Sequence, residues 1–118
     1  MSRAGHIREA LDPGREAVGI WRQLAATDTD RFGPELASAL NNMGAMMDEA
    51  GTSDEAISAF EQAICQLAPH FQADPITHRA AMSAMLKNYM ERTEELGLEP
   101  DGGLVQPILD ILIGPDRR

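Results

Sequence analysis

The residues with the widest chemical range are scattered along this chain rather than gathered. His6, His70 and His78 are its three histidines. His70 and His78 flank a stretch containing Pro75 and share no helical face, and no second ligand stands at a metal-binding spacing. Cys65 lies within an apolar helical pattern with no His or acid framing it, so it reads as a buried, unreactive thiol. Asp48-Glu49 and Glu94-Glu95 are adjacent pairs, and neighbours in a helix point to different sides, so neither pair can share a substrate. No glycine-rich phosphate loop follows a strand. No nucleophile–base or metal set can be assembled, and the expectation is a protein without catalysis, cofactor or metal.

What the sequence does repeat is amide and acid. Asn41-Asn42 is followed 46 positions later by Lys87-Asn88, and Asp48-Glu49 at the same spacing by Glu94-Glu95. An amide offers a donor and an acceptor together, which is what a peptide group requires of a partner. The alternative is a solvated helix face, or amides that bond only within their own fold. The acidic pairs form either a rim for a basic peptide or a solvated face, and acid at a helix C-terminus opposes the dipole.

These residues sit on a helical frame. From Pro34 to Gly51, Leu36, Leu40, Met43 and Met47 fall on one face at steps of four, three and four. From Thr52 to Pro69, Ala56, Ile57, Phe60, Ala63, Ile64 and Leu67 do the same. Gly51 marks the turn between them, and Thr52 with Glu55 offers a capping box. Phe32 is placed to pack ahead of Pro34 as a staple. Small residues at Gly44, Ala56 and Ala63 allow close approach, and Phe60 fills the gap beside them. Met43, Met47 and Met85 take core positions.

The same pattern extends outward. Setting Glu16-Ala17-Val18 on Glu55-Ala56-Ile57 places Trp21 on Phe60, Leu24 on Ala63 and Gly5 on Gly44. A short helix over 2–11 and a second from Pro13 follow, with Asp12-Pro13 as the break. Thr27 to Gly33 reads as a connection, and His70 to Ala73 as another. Asp74-Pro75 then starts a helix that carries Ile76, Met85, Leu86, Tyr89 and Met90 and ends at Gly97. Setting Leu86 on Leu40 places Gly97 on Gly51 and Met90 on Gly44, with extra length at the helix start. Leu104, Val105, Ile108, Leu109, Ile111, Leu112 and Ile113 form a final apolar segment, stopped by Gly114-Pro115.

The order Met43-Gly44, Ala56, Phe60, Ala63, Pro69 resembles the tetratricopeptide repeat, whose pattern runs Leu-Gly, Ala, Phe, Pro over about 34 residues. Leu40 and Met47 stand where that family has Trp and Tyr, and Pro69 falls one place late. The run Leu40-Asn41-Asn42-Met43-Gly44 is most similar to the kinesin-light-chain-like subtype. The resemblance implies an all-α fold, a short α-solenoid of antiparallel helical hairpins with a C-terminal capping helix. One domain spans 1–118: a partial first repeat over 2–30, a complete one over 31–69, and a diverged third repeat with its apolar cap over 74–113. Repeat packing then falls to Trp21, Leu40, Met43 and Gly44, with Ala56, Phe60, Ala63 and Tyr89.

The resemblance also implies a concave face lined by the first helix of each hairpin. In some members an Asn at the place of Asn42 binds the backbone of an extended peptide. The corresponding face carries Asn41, Asn42, Ala45 and Asp48, then Lys87, Asn88, Glu91 and Glu95. Lys87 alone does not reproduce the Lys–Asn clamp that co-chaperone members use for a C-terminal carboxylate.

Composition bounds the partners. The 118 residues carry a formal charge of −9 with 4% aromatics, which disfavours nucleic acid and anionic membrane. A neutral or basic protein or peptide is expected, in a scaffolding role. One cysteine allows no internal disulfide, and no apolar window suits a membrane span or signal region, so a cytoplasmic setting is expected. The alternative is a homo-oligomerising structural or regulatory accessory subunit. In that case Leu104, Ile108, Leu109 and Leu112 make a homodimer contact instead of an intramolecular cap.

Overall fold

The computed structural model describes the backbone of residues 3–113 and the side chains of 11–113. Its elements are α1 (Arg3–Thr27), α2 (Thr29–Glu49), α3 (Ser53–Ala73), α4 (Pro75–Glu95) and α5 (Gly102–Ile113), with no strand among the described residues. Helices adjacent in sequence pack against one another. In addition α2 touches α4, and α5 rests on α3 as well as α4. The molecule is 19 Å through its thinnest dimension, the depth of two helices at about 10 Å each.

The core follows the expected stripes. Leu36, Leu40 and Met43 of α2 meet Ala56, Phe60, Ala63, Ile64 and Leu67 of α3, all buried. Each large side chain removed from water here contributes about 1.5–3 kcal/mol. The backbone of α2 also meets a ring at Gly44, where a Cβ would lie 2.6 Å from Cε1 of Phe60. The ring lies against the bare backbone of α2, and only glycine permits it. Trp21 does not repeat the burial of Phe60. It is half-buried, with its ring centroid 6.1 Å from that of Phe32.

Helices α2 and α4 share one frame. Asp28 and Asp74 are their N-caps, accepting from the backbone N–H groups of Arg31 (3.2 Å) and Thr77 (3.3 Å). Each helix has 21 residues. Gly51 (φ +86°) and Gly97 (φ +68°) end them in the left-handed region. At the first end, the N–H of Thr52 reaches Met47 O and that of Gly51 reaches Asp48 O. At the second, Leu98 reaches Thr93 O and Gly97 reaches Glu94 O. Both are Schellman motifs, which satisfy the last carbonyls of a helix. The helix of Asp74 and Gly97 is thus as expected, but the extra length is not. α2 begins five residues before Pro34, which makes the two helices equal.

Proline is the reason for that difference and for two more. No break occurs at Asp12-Pro13, and α1 runs through Pro13 as one helix. The place foreseen for Gly5, and the side chain of His6, fall outside the described side chains. The connection expected over Thr27–Gly33 shrinks to Asp28, because α2 runs through Pro34. The unit does not close at Pro69, because α3 runs through it to Ala73. A proline inside a helix forfeits one hydrogen bond and crowds the preceding turn, at about 3 kcal/mol. Packing on both sides holds these helices. Phe71, beyond Pro69, is fully buried, and Leu11 and Val18 are buried around Pro13. Pro69 and Cys65 are both exposed, so water can reach the Cys65 carbonyl, which Pro69 cannot serve as the usual helical donor. Phe32 therefore packs on Trp21 from within α2, not as a staple ahead of it.

The capping box at Thr52 and Glu55 does not form either. The Thr52 hydroxyl donates back to Met47 O at 2.9 Å and is spent on the Schellman turn. Among the methionines, Met43, Met82 and Met85 are buried, while Met46, Met47 and Met90 are half-buried. α5 packs on its own chain through Val105 and Ile108, the latter 1% exposed. Ile108 is thus unavailable to a partner, whereas Leu104, Leu109 and Leu112 stay half-buried.

Candidate functional site

The amides separate into two environments. Asn88 Nδ2 donates to Asn41 Oδ1 at 3.1 Å, tying α4 to α2 in a half-buried position. Asn42, one step round α2, faces the other way. It is exposed and lines an open groove of about 300 Å³ between α1 and α2. Gly14, Ala17 and Trp21 form one wall, and Ala39, Met43 and Met46 the floor, with Glu35, Ser38 and Asn42 at the polar side. Asn42 and Asn88 are therefore not two copies of one contact. The pair the fold unites is Asn41 with Asn88, and it is used internally.

A lone arginine reorganises the expected acidic rim. Arg92 Nη1 lies 2.9 Å from Asp48 Oδ2, and Nη2 lies 2.9 Å from Glu95 Oε1 and 3.7 Å from Glu91 Oε1. Asp48 also accepts from the hydroxyl of Ser53 at 3.0 Å. Asp48 is consumed by a tie between α2 and α4, so no rim of free carboxylates runs across both helices. Ala45, Lys87 and Glu91 are exposed. Sequence reasoning passed over Arg92, which stands one turn beyond Asn88 on the edge of α4 that meets α2, an edge that only the packed structure identifies.

Tyr89 holds the far end. Its ring is buried, and its hydroxyl donates to Glu61 Oε2 at 2.8 Å and accepts from the N–H of Asp101 at 2.8 Å. One side chain thus joins α3, α4 and the chain entering α5. Burial raises the phenol's pKa, and the neighbouring Glu61 and Asp101 charges reinforce this against the donated Asp101 N–H.

Cys65 is exposed, contrary to the buried thiol expected. Partial burial of the sulfur, then the charges of Glu61 and Asp101, raise its pKa, which keeps it protonated and a poor nucleophile at neutral pH. The rings of His70 and His78 come within 6.1 Å, edge to face, across the junction of α3 and α4. His70 lies over Gly33, its Nε2 buried with no hydrogen-bond partner. Among the described residues, no group of three or more His, Cys, Asp or Glu stands close enough to hold a metal. No described helix is long and apolar enough to cross a membrane.

A scan of family models, a search of curated proteins and a search of solved structures each returned no match for this chain.

Proposed function

We propose that this chain is a non-catalytic binding module, a short array of tetratricopeptide-like hairpins that holds a segment of another protein. The observation that carries the reading is the groove between α1 and α2. It sets the half-buried Trp21 and Met46 beside the exposed amide of Asn42. Apolar floor with a few convergent polar groups is the ordinary composition of a recognition cleft. Methionine adapts its shape to the side chain it meets. Asn42 supplies the donor and acceptor for a backbone, and Glu35 favours a neutral or basic segment over an acidic one.

The repeat reading rests on the equal frames of α2 and α4, on the contact of α2 with α4, and on that of α3 with α5. In such an array the groove lies where a preceding first helix would pack, which suits a helical or extended guest. Selection from a displayed random-peptide library tests the reading. Enriched peptides should carry apolar anchors, and Met46→Glu should abolish their capture while leaving the melting temperature within a few degrees. Absence of enrichment, or capture indifferent to Met46→Glu, removes the groove as the site.

A further inference from the structure

The groove between α1 and α2 has two unlike ends. The ring of Trp21 meets that of Phe32. Gly14 lies opposite Met43 and Met46, whose Cε and Sδ would stand 3.8 and 3.9 Å from a Cβ placed on it. The two helices therefore run antiparallel along the groove. Trp21 and Glu35, the latter one turn beyond Phe32, line one end. At the other, the bare backbone of Gly14 leaves room beside the two methionine side chains, with Asn42 at the edge. From Trp21 to Gly14 the rise along α1 is about 10 Å.

Charge and shape select the guest. Glu35 is exposed and, among the described residues, makes neither an ion pair nor a side-chain hydrogen bond. Arg31 is spent on the Phe32 ring, 5.0 Å from its centroid. A carboxylate beside an indole draws a cation by charge and through the ring quadrupole together. Gly14 with Met43 and Met46 makes an apolar seat whose walls adapt. The groove holds about 300 Å³, the low end for a ligand cleft, and α1 and α2 pack directly beneath it. It admits side chains rather than a whole helix, which is about 10 Å across. In an extended polyproline-II segment, residues three apart share a face and stand about 9 Å apart. That matches the separation of the two ends. We infer that the groove takes an extended basic–apolar segment. A lysine or arginine sits between Trp21 and Glu35, and an apolar side chain three positions away seats over Gly14. The groove is the one read above as a binding cleft, and the choice of guest rests on that reading.

Trp21 is the only tryptophan, so its fluorescence reports occupancy directly. The full chain is titrated with degenerate peptide pools in which Lys and Leu are fixed three positions apart, in both orders. These pools should bind about tenfold more tightly than pools carrying norleucine or Glu for Lys, or with Lys and Leu brought adjacent. Glu35→Gln, at an exposed position, should erase the preference for Lys and keep that for Leu. Gly14→Leu fills the apolar end, and should erase the preference for Leu over Ser while keeping that for Lys. Glu35→Gln keeps the test standing if Gly14→Leu unsettles α1. Equal binding of the Lys and norleucine pools overturns the inference but leaves the groove as a binding site. So does a Lys preference unchanged in Glu35→Gln, or a preference for anchors seven apart, the spacing of a helical guest. No response to any pool, with no enrichment from the random library, removes the guest and the groove together.

Discussion

Helices α2 and α4 begin at an aspartate cap, run 21 residues and end in a Schellman turn at glycine. Leu36, Leu40 and Met43 in one match Met82, Leu86 and Tyr89 in the other, and all six are buried. They differ on the flank that meets the following helix. There α2 has Gly44 and takes the ring of Phe60 onto its backbone. α4 has Met90, and the segment after it supplies no aromatic in that place. The same frame therefore seals by shape in the first case and by hydrogen bonds in the second, where Tyr89 grips Glu61 and the N–H of Asp101. Apolar packing rewards every matched atom, so the first junction is tight along its length. A polar pin fixes one point and leaves the flank around it open.

Exchanging the junctions should give the largest effects. Phe60→Ala should cost about 3–5 kcal/mol by emptying the space against Gly44. Gly44→Met, which imports the α4 residue, should cost at least about 1–3 kcal/mol, since the ring must leave the helix backbone. Met90→Gly should cost only about 1 kcal/mol, the backbone penalty of glycine in a helix. Urea denaturation followed by circular dichroism reads all three. Equal losses for Gly44→Met and Met90→Gly would dissolve the distinction between the two junctions.

The pin should break more gently. Tyr89→Phe removes a donor and an acceptor at once and leaves the Asp101 N–H and Glu61 to water, at about 1–2 kcal/mol. Hydrogen exchange should quicken in α5 before it does in α2 or α3. The phenol's pKa is raised in the folded state, so the neutral form is the one that folding favours. Its contribution is complete below the unfolded tyrosine value of about 10 and is lost as pH climbs through the raised folded value. Stability measured against alkaline pH should therefore fall in the parent, and Tyr89→Phe should flatten that fall.

The turns should respond alike, because they are alike. Gly51→Ala and Gly97→Ala each place a Cβ in the left-handed region, at about 1 kcal/mol. Neither glycine has a side-chain neighbour within 4 Å of an added Cβ, so the backbone conformation alone sets the cost. Matched shifts in denaturation midpoint are expected, and a twofold disparity would show that one turn carries tertiary strain the other lacks.

What could be read ahead of the structure was the part dictated locally. Gly51 and Gly97 announce helix ends because few other residues enter the left-handed region, and Asp74-Pro75 announces a start because both residues suit a first turn. The stripe of Leu36, Leu40, Met43 and Phe60 follows from helical period alone. The failures came where tertiary contact outweighs local preference. Pro13, Pro34 and Pro69 read as boundaries, yet the helices pass through all three. Buried Phe71 draws α3 past Pro69, and the stacking of Phe32 on Trp21 draws α2 back ahead of Pro34. Cys65 was legible after all. It follows Ile64 by one step, which turns it off the stripe of Phe60, Ile64 and Leu67. Arg92 and the Asn41–Asn88 bond were not, since they depend on which edge of α4 meets α2, and no single-helix pattern contains that.

The smallest effect discriminates best between structure and recognition. Asn41→Ala should cost about 0.5–1.5 kcal/mol, because Asn88 loses its half-buried acceptor. Asn42→Ala, next in sequence and exposed in the groove, should leave the denaturation midpoint within error. Their effects on peptide capture should be reversed, with Asn42→Ala weakening it and Asn41→Ala sparing it. Two neighbouring amides of identical chemistry then divide by direction alone, one turned inward to α4 and one outward beside Trp21. If both variants lost capture and stability together, the groove and the α2–α4 tie would be one cooperative unit rather than two.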